Sequence, residues 1–200
     1  MNEVTTAFES TISKAYKTKK GMKIMKKVLV VVDMQNDFVD GALGTKEAVG
    51  IVENVVNKIK NFDGKIFATL DTHQSNYMET SEGKKLPVPH CIRMTSGWLL
   101  NEDIMKALDG KDYKTIEKRT FGSTKLVNEI RRIKGNDDIE IELIGLCTDI
   151  CVVSNALLLK AYFPEAKITV DASCCAGVTP ESHKAALDTM KMCQIDVIGE

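Results

Sequence analysis

Cys151 is the first candidate for covalent chemistry in this sequence because of its position along the chain. It follows the alternating apolar run at residues 139–145 and precedes a second apolar stretch at residues 152–159. This order predicts a strand, a turn and a buried helix, with the thiol near unpaired N–H groups and the positive end of the helix macrodipole. Both would favour thiolate, the nucleophilic form of cysteine. A cysteine considered alone also fits a small, buried core position.

Two charged residues at the ends of other predicted strands could serve such a thiol. Asp33 follows five apolar residues and could act as a general acid or base, although an aspartate that caps a turn is the alternative. Lys118 directly follows the strand predicted at residues 114–117 and could hold a positive charge beside the thiol, although lysines are usually solvated. Lowering a thiol pKa by about two units takes roughly 2.7 kcal/mol, more than a helix end supplies. We therefore expect Lys118 to favour the thiolate of Cys151.

A second set of residues predicts a metal site. Asp71 and His73 are two positions apart at another strand end, and His90 follows in the same loop region. A carboxylate and an imidazole two apart can point toward one ion, and such ligands suit zinc, iron or manganese. The alternative for each histidine alone is a structural role. The set favours one divalent metal ion.

The elements that would position these residues alternate between apolar runs and segments with helical periodicity. Strands are predicted at residues 28–32, 65–70, 114–117, 139–144, 167–170 and 195–198. Helices are predicted at about residues 46–61, 98–108, 124–134, 149–161 and 180–191. Such alternation predicts a single α/β domain with a mostly parallel sheet of about six strands. Ligands bind at the carboxyl ends of the strands in such sheets, which is where the candidate residues fall.

The first 26 residues differ from the rest of the chain. Val4, Phe8 and Ile12 have helical spacing and predict one short amphipathic helix. Residues 17–27 follow with six lysines and predict a solvated linker. We therefore divide the chain into an N-terminal helix and Lys-rich linker, residues 1–26, and one α/β domain, residues 27–200.

The composition limits the partners and the location. A formal net charge of -1 gives no general attraction to nucleic acid or to an anionic membrane, and no apolar stretch is long enough to span a bilayer. The six cysteines have neither CxxC nor zinc-ribbon spacing, which favours free thiols in a reducing compartment. We expect a cytoplasmic protein with a small-molecule substrate, without nucleic-acid or membrane partners, and leave a homo-oligomer open.

The motifs around these residues resemble the isochorismatase-like cysteine hydrolase superfamily. The similarity rests on the segments at residues 33–38 and 145–152 and on the Lys118 loop, in this order. It implies a doubly wound, three-layer α/β sandwich and a catalytic triad of Asp33, Lys118 and Cys151. In family amidases the thiolate attacks an amide carbonyl, and the aspartate passes protons to the leaving ammonia. Water then hydrolyses the thioester.

The resemblance also implies how the oxyanion is stabilised. Members carry a non-proline cis peptide bond four residues before the nucleophile, here between Leu146 and Cys147. The backbone N–H groups of Cys147 and Cys151 would then form the oxyanion hole.

Within the superfamily, Asp71, His73 and His90 are similar to the metal ligands of the nicotinamidase branch. That branch binds zinc, iron or manganese, and here we expect zinc, with Glu82 as the fourth ligand and Glu79 as its competitor. The resemblance therefore implies hydrolysis of nicotinamide to nicotinate and ammonia.

One departure from the nicotinamidase pattern leaves other functions open. No aromatic residue directly precedes His90, so we expect Phe38, Trp98 and Phe121 to line the substrate pocket instead. The alternatives are hydrolysis of another amide, ureido or carbamoyl compound, and a non-catalytic protein that binds a ligand or metal. A redox pair of Cys147 and Cys151 is a further alternative.

Overall fold

The computed structural model describes residues 23–200, which form one α/β domain around a central sheet. The strands are β1 (Met25–Val32), β2 (Lys65–Asp71), β3 (Tyr113–Lys118), β4 (Asp138–Leu146), β5 (Lys167–Ala176) and β6 (Asp196–Ile198). All predicted strands are confirmed. The largest difference is in β5, which continues to Ala176, beyond the predicted end at residue 170, because β4 pairs with it again after a register shift.

The sheet has the order β3-β2-β1-β4-β5-β6, and every pair of neighbouring strands is parallel. The chain builds one half outward from β1 to β3 and then returns to build the other half from β4 to β6. The point where the direction reverses lies between β1 and β4, where Val32 is in register with Gly145. Doubly wound sheets bind ligands at this point because the connections leave a crevice there.

The described helices are α1 (Asn36–Val39), α2 (Lys46–Gly50), α3 (Val52–Asn61), α4 (Ser81–Lys85), α5 (Glu102–Leu108), α6 (Thr124–Lys134), α7 (Val153–Tyr162) and α8 (Pro180–Met192). A short 3₁₀ helix covers Tyr77–Glu79, and a π-helical turn covers Thr148–Val152. These helices cover the two faces of the sheet, which confirms the three-layer arrangement.

The predicted helices differ from the observed ones mainly at their starts. The helix expected at residues 46–61 is interrupted at Ile51, so that α2 and α3 are separate. The helix expected from residue 98 begins only at Glu102, because the Asn101 side chain caps it by accepting the N–H of Asp103. The helix expected from residue 149 begins with the π-helical turn. Local capping and tertiary contacts decide such boundaries, and periodicity does not record them.

The core has two parts, one on each face of the sheet. One part joins β1, β4 and β5 to α6, α7 and α8, and it contains Cys151 and Val152. The other joins β1 and β2 to α3 and α5. Alternate residues of β1 enter the two parts, with Val30 in the first and Leu29 in the second, as expected for a strand buried on both faces.

The predicted N-terminal amphipathic helix lies outside the described residues, as does most of the Lys-rich linker that completes residues 1–26. The described end of the predicted linker already belongs to the sheet, since β1 begins at Met25. Lys23 contacts Asp138 at the start of β4, with 2.9 Å between Nζ and Oδ1. Between residues 23 and 200, no helix combines the length and the apolar character needed to cross a bilayer.

Candidate active site

Four side chains that could react or bind a ligand meet at the carboxyl edge of the sheet. Asp33 directly follows β1, Asp71 is the last residue of β2, and Lys118 is the last residue of β3. Cys151 lies in the π-helical turn that follows β4. The register of β2 and β3 pairs Asp71 with Lys118, which places those two residues side by side. The structure therefore brings together the residues that the strand ends predicted.

Lys118 is the centre of this group. Its Nζ lies 2.7 Å from Asp33 Oδ2, 3.4 Å from Asp71 Oδ1 and 3.3 Å from Cys151 Sγ. Burial by itself would lower the pKa of the Lys118 ammonium, but the carboxylates of Asp33 and Asp71 raise it above its usual value. Lys118 is therefore a permanent cation with almost no solvent contact, since its side chain is 1% exposed.

The surroundings of Cys151 act on the pKa of its thiol in opposite directions. Burial raises the pKa of the Cys151 thiol well above its ordinary value, and the Asp33 charge raises it further, while Lys118 opposes both only in part. The argument from sequence included the helix end and the lysine, but not the loss of water around a side chain inside the core. Burial therefore opposes the thiolate that we expected, and a neighbouring base that took the thiol proton would restore it.

Asp33 is the candidate for that base. Its φ is 48°, in the left-handed region, which non-glycine residues adopt at a cost of about 1–3 kcal/mol and often at functional sites. Burial raises the pKa of the Asp33 carboxyl, although Lys118 opposes this effect. Its Oδ2 has no hydrogen bond of regular geometry to any residue in the range 23–200, despite the ion pair with Lys118. That oxygen can accept a proton.

The end of β4 and the turn that follows it have three unusual backbone features. Gly145 has a φ of 113°, and a Cβ there would lie 2.2 Å from the carbonyl oxygen of Val32, so only glycine lets β4 end against β1. The peptide bond between Leu146 and Cys147 is cis, as the resemblance implied. The backbone N–H of Cys147 has no hydrogen-bond acceptor among residues 23–200 and can therefore donate to a ligand. The oxyanion hole formed with the N–H of Cys151 stays a prediction.

Four candidate metal ligands converge beside this group. One donor atom from each of Asp71, His73, Glu82 and His90 lies within 4.8 Å of the other three. His73 Nε2 is 2.9 Å from Asp71 Oδ2 and 3.7 Å from Glu82 Oε1. His90 Nε2 is 3.6 Å from the same Asp71 oxygen and 3.8 Å from the same Glu82 oxygen. Ligands about 2.1 Å from a tetrahedral ion lie about 3.4 Å apart, so the set has the dimensions of a metal site.

The charges of this set also fit a divalent cation. Burial pushes the pKa of the Asp71 carboxyl upward, but contacts with His73 and His90 and the charge of Lys118 hold it below its usual range. Asp71 is therefore ionised, and with Glu82 it gives the group two carboxylates and two imidazoles. A divalent ion would neutralise the carboxylates, and imidazole and carboxylate ligands suit zinc, iron and manganese.

The surroundings of His90 and the position of Glu82 support the same ligand set. His90 Nδ1 lies 2.8 Å from the carbonyl oxygen of Val88, and donation to that oxygen leaves the Nε2 lone pair directed at the cluster. Glu82 is in α4, which the Thr80 side chain caps through the N–H of Gly83. Glu79, the competing ligand, is not part of the converging group.

A cavity of about 400 Å³ opens onto Cys151 and onto three of the candidate metal ligands. Phe38 and Phe121 line it, as expected, together with the apolar side chains of Leu86 and Ile150. The volume is within the range of small-molecule sites, and the lining is mostly apolar with a few polar groups. Such a cavity can hold a small ring or chain with one polar group directed at the thiol.

Trp98 does not line this cavity, contrary to our expectation. Its indole N–H donates to Thr72 Oγ1 at 2.9 Å, and its backbone carbonyl accepts a hydrogen bond from Gln35 at 2.8 Å. The side chain packs against the core part that contains α3 and α5. The sequence indicated an available aromatic residue in the right part of the chain, but not the direction of its ring.

Two polar residues that the sequence analysis did not select hold the site together. Gln35 clamps the end of β2, because its side chain accepts the N–H of Asp71 at 2.7 Å and donates to the Asp71 carbonyl at 2.9 Å. Asn155 links two loops by donating to the carbonyls of Cys151 and Phe121, at 2.8 and 3.0 Å. Asn155 is a polar residue within an apolar stretch, whereas Gln35 lies in a polar segment and gave no local signal. Neither has a chemical group that predicts this role.

Comparison with known proteins finds clear relatives. A protein-family model described as an isochorismatase domain matches residues 27–199. An uncharacterized isochorismatase family protein, PncA of Bacillus subtilis strain 168, is 28% identical over 173 residues, which cover 82% of this chain and 93% of that protein.

Solved structures give the same picture. The crystal structure of the nicotinamidase/pyrazinamidase PncA from Bacillus subtilis is 27% identical, with a TM-score of 0.74, and covers 87% of this chain and 100% of its own. The pyrazinamidase of Pyrococcus horikoshii, solved in complex with zinc, is 25% identical, with a TM-score of 0.72, over 88% of this chain and 99% of its own.

Proposed function

The chain belongs to the isochorismatase family, and we propose that it is an amidohydrolase of the nicotinamidase type, which converts a small carboxamide into a carboxylate and ammonia. One observation carries the proposal. A single cavity borders both Cys151 and three candidate metal ligands, while Lys118 lies directly behind the thiol. The similar structures are those of a nicotinamidase/pyrazinamidase and a pyrazinamidase, which supports an amide substrate.

The proposed reaction begins with proton transfer from Cys151 to Asp33. Sγ attacks the amide carbonyl carbon as the thiol proton moves to Oδ2 of Asp33, and the carbonyl oxygen becomes an oxyanion. The N–H groups of Cys147 and Cys151 would stabilise this charge. When the C–N bond breaks, Asp33 returns the proton to the leaving nitrogen, and ammonia departs. A thioester between the acyl group and Sγ remains.

The second half of the reaction uses the same groups. Asp33 takes a proton from water as the water oxygen attacks the thioester carbonyl. The C–S bond then breaks, the proton returns to sulfur, and the carboxylic acid leaves. Lys118 balances the negative charge that moves between Asp33 and Cys151, because its Nζ lies within 3.3 Å of the reacting atoms of both residues. We assign Lys118 no proton transfer, since its pKa is raised.

Asp71, His73, Glu82 and His90 would hold one divalent metal ion, for which we propose zinc, with iron or manganese as the alternatives. When bound, the metal would supply a Lewis acid that binds a pyridine nitrogen or a ligand water and so orients the substrate. The proposed triad then needs no metal to generate its nucleophile. Phe38 and Phe121 would contact the substrate ring in place of the aromatic residue missing before His90.

The proposal is tested by measuring ammonia release from nicotinamide, pyrazinamide and a panel of other small primary amides. We expect release from at least one ring carboxamide, and a metal content of about one divalent ion per chain. Cys151→Ala should abolish release, because Cys151 is the cavity thiol that lies 3.3 Å from Lys118 Nζ, whereas the other cavity cysteine, Cys147, is the proposed oxyanion-hole residue. Cys193→Ala is the matched control, since Cys193 is exposed, and it should retain full activity. No release from any amide by folded, metal-loaded protein would contradict the proposal.

A second candidate substrate is an amide, ureido or carbamoyl compound with an anionic group. Lys85 and Arg119 both line the cavity, and neither forms an ion pair with a residue in the described part of the chain. Cationic side chains at a cavity attract anionic ligands and speed their association. The same panel decides between the candidates. A carboxylate-bearing amide hydrolysed with a kcat/KM well above that of nicotinamide would favour this second class.

Three further predictions concern the class of ligand, the location of the protein and its oligomeric state. The substrate is a small molecule, and no nucleic-acid or membrane partner is proposed. All six cysteines are free thiols in the structure, in agreement with the reducing cytoplasm that we propose. A homo-oligomer remains a proposal, which light scattering of the purified protein would test.

A further inference from the structure

We infer that Thr69 is a positioning residue that selects which oxygen of Asp33 receives the Cys151 proton. The inference rests on the proposed function, since it concerns the base of that reaction. Its structural basis is independent of any substrate.

Thr69 forms hydrogen bonds with both the backbone and the side chain of Asp33. Its hydroxyl donates to Asp33 Oδ1, with 2.7 Å between the oxygens. The same hydroxyl oxygen accepts the backbone N–H of Asp33, at 3.2 Å. Both residues are fully buried, at 0% exposure, so no water competes for these bonds. One side chain thus fixes the backbone and the carboxylate of Asp33 together.

The consequence is that the two carboxylate oxygens of Asp33 differ. Oδ1 is occupied by the Thr69 hydroxyl, and Oδ2 faces the Lys118 ammonium at 2.7 Å without a hydrogen bond of regular geometry. Lys118 Nζ in turn lies 3.3 Å from Cys151 Sγ. Rotation of the carboxylate would break the bond to Thr69, so that bond holds Oδ2 toward Lys118, whose Nζ also contacts the thiol.

Strand β2 does not need a hydroxyl at position 69 for its packing, and the backbone N–H and carboxylate of Asp33 are what the hydroxyl bonds to. Thr69 lies in the buried strand β2, between Ala68 and Leu70, where a β-branched apolar residue would suit the sheet. Valine has nearly the shape of threonine, and its loss of a hydroxyl would leave Oδ1 without its donor. The hydroxyl is therefore explained by Asp33 and not by packing.

Two substitutions at position 69 separate positioning from packing. Thr69→Val keeps the shape and removes the hydroxyl, and we expect kcat to fall about ten- to hundredfold with little change in KM. Thr69→Ser keeps the hydroxyl and removes a methyl group. It should lower the urea midpoint of unfolding but keep kcat within about threefold of wild type, because a buried methyl contributes to stability and not to proton transfer.

A substrate-independent measurement accompanies the kinetics. Iodoacetamide labelling of Cys151, followed by peptide mass spectrometry at a fixed neutral pH, reports how readily the thiol loses its proton. Thr69→Val should slow this labelling by a similar factor, and Thr69→Ser should not. Thr45→Val is the matched control, because the Thr45 hydroxyl caps α2 through the N–H of Ala48 and is not bonded to Asp33. It should leave labelling unchanged.

The outcomes are distinct. Wild-type kcat and labelling in folded Thr69→Val would overturn the inference, and so would equal losses in the Val and Ser variants, which would indicate packing alone. If the wild-type protein hydrolysed no amide, the proposed function would fail, while the labelling rates would still decide the role of Thr69.

Discussion

Two clusters in this molecule have the same ionic composition, a lysine between two carboxylates, but different surroundings. The Lys118 cluster (Lys118, Asp33 and Asp71) lies at the carboxyl edge of the sheet. The Lys58 cluster (Lys58, Glu142 and Asp171) lies where α3 crosses β4 and β5. Lys58 Nζ is 2.7 Å from Glu142 Oε1 and 2.7 Å from Asp171 Oδ2.

The Lys58 cluster is satisfied and partly hydrated. The Lys58 side chain is 27% exposed, and the second oxygen of Asp171 accepts hydrogen bonds from the hydroxyl and the N–H of Ser173, at 2.6 and 3.1 Å. Each charge therefore has a partner. Nothing in this arrangement is left to react with a ligand, and it joins a helix to the sheet.

The Lys118 cluster differs in two respects. It is almost without water, and it includes a thiol together with a carboxylate oxygen, Asp33 Oδ2, that lacks a regular hydrogen bond. A buried, incompletely paired acceptor costs stability, so such groups are expected at functional sites. The difference teaches that ion-pair composition alone does not identify a catalytic cluster. Complete burial and a thiol beside the lysine set the Lys118 cluster apart.

The largest expected difference between the clusters is in activity. Asp33→Asn should lower kcat/KM for the best amide about a thousandfold, because an amide side chain cannot accept the thiol proton. Asp171→Asn, the matched change in the Lys58 cluster, should leave kcat/KM within about twofold, since it touches no reacting group. Ammonia release measures both variants. Similar losses in the two would show that the comparison does not separate catalysis from structure.

Stability should distinguish the two lysines next. Lys118→Met leaves carboxylates buried without their counter-charge, and we expect the free energy of unfolding to fall by about 3–5 kcal/mol. Lys58→Met should cost less, because Glu142 is partly exposed to water and Ser173 still donates two hydrogen bonds to Asp171. Urea unfolding followed by circular dichroism gives both values. An equal cost would mean that burial does not govern the strength of these clusters.

Metal removal should lower the stability of the protein through the ligands beside the Lys118 cluster, and the Lys58 cluster should have no part in this effect. An ion present at a hundred times its Kd stabilises the folded protein by about 2.7 kcal/mol, so chelation should lower stability by that amount. His90→Gln should abolish this response, while Lys58→Met should keep it in full. Thermal unfolding with and without chelator, and with zinc restored, makes the comparison. A full response in His90→Gln would contradict the proposed ligand set.

The smallest effect concerns the pH dependence of the Lys58 cluster. Burial favours the neutral acid, but hydrogen bonds from Lys58 and Ser173 lower the pKa of Asp171 below its ordinary value. Asp171 therefore stabilises the fold above its unfolded pKa of about 3.9, and this contribution is lost as the pH falls through the lower, folded pKa. The difference in unfolding free energy between wild type and Asp171→Asn should be at most about 1 kcal/mol near pH 7 and should vanish in acid. Urea unfolding across that range measures it, and a difference that grew in acid would contradict the assignment.

Much of the fold could be predicted because hydrophobic periodicity is a local property. Each strand appeared as an apolar run, and the strand–helix alternation predicted the parallel sheet. The positions of Asp33, Lys118 and Cys151 at strand ends then followed from topology. Residues such as Gln35, Thr69 and Asn155 could not be found in this way, because their roles consist of hydrogen bonds to residues far away in the chain.

The sequence by itself determined which residue types stand at the carboxyl edge of the sheet, since a parallel α/β arrangement brings strand ends together. Only the tertiary structure decided their chemical state and their partners. Burial opposes the thiolate of Cys151 that Lys118 favours, the position of α4 selects Glu82 over Glu79, and packing turns Trp98 away from the cavity. These outcomes depend on the desolvation and orientation of side chains, which only the assembled core sets.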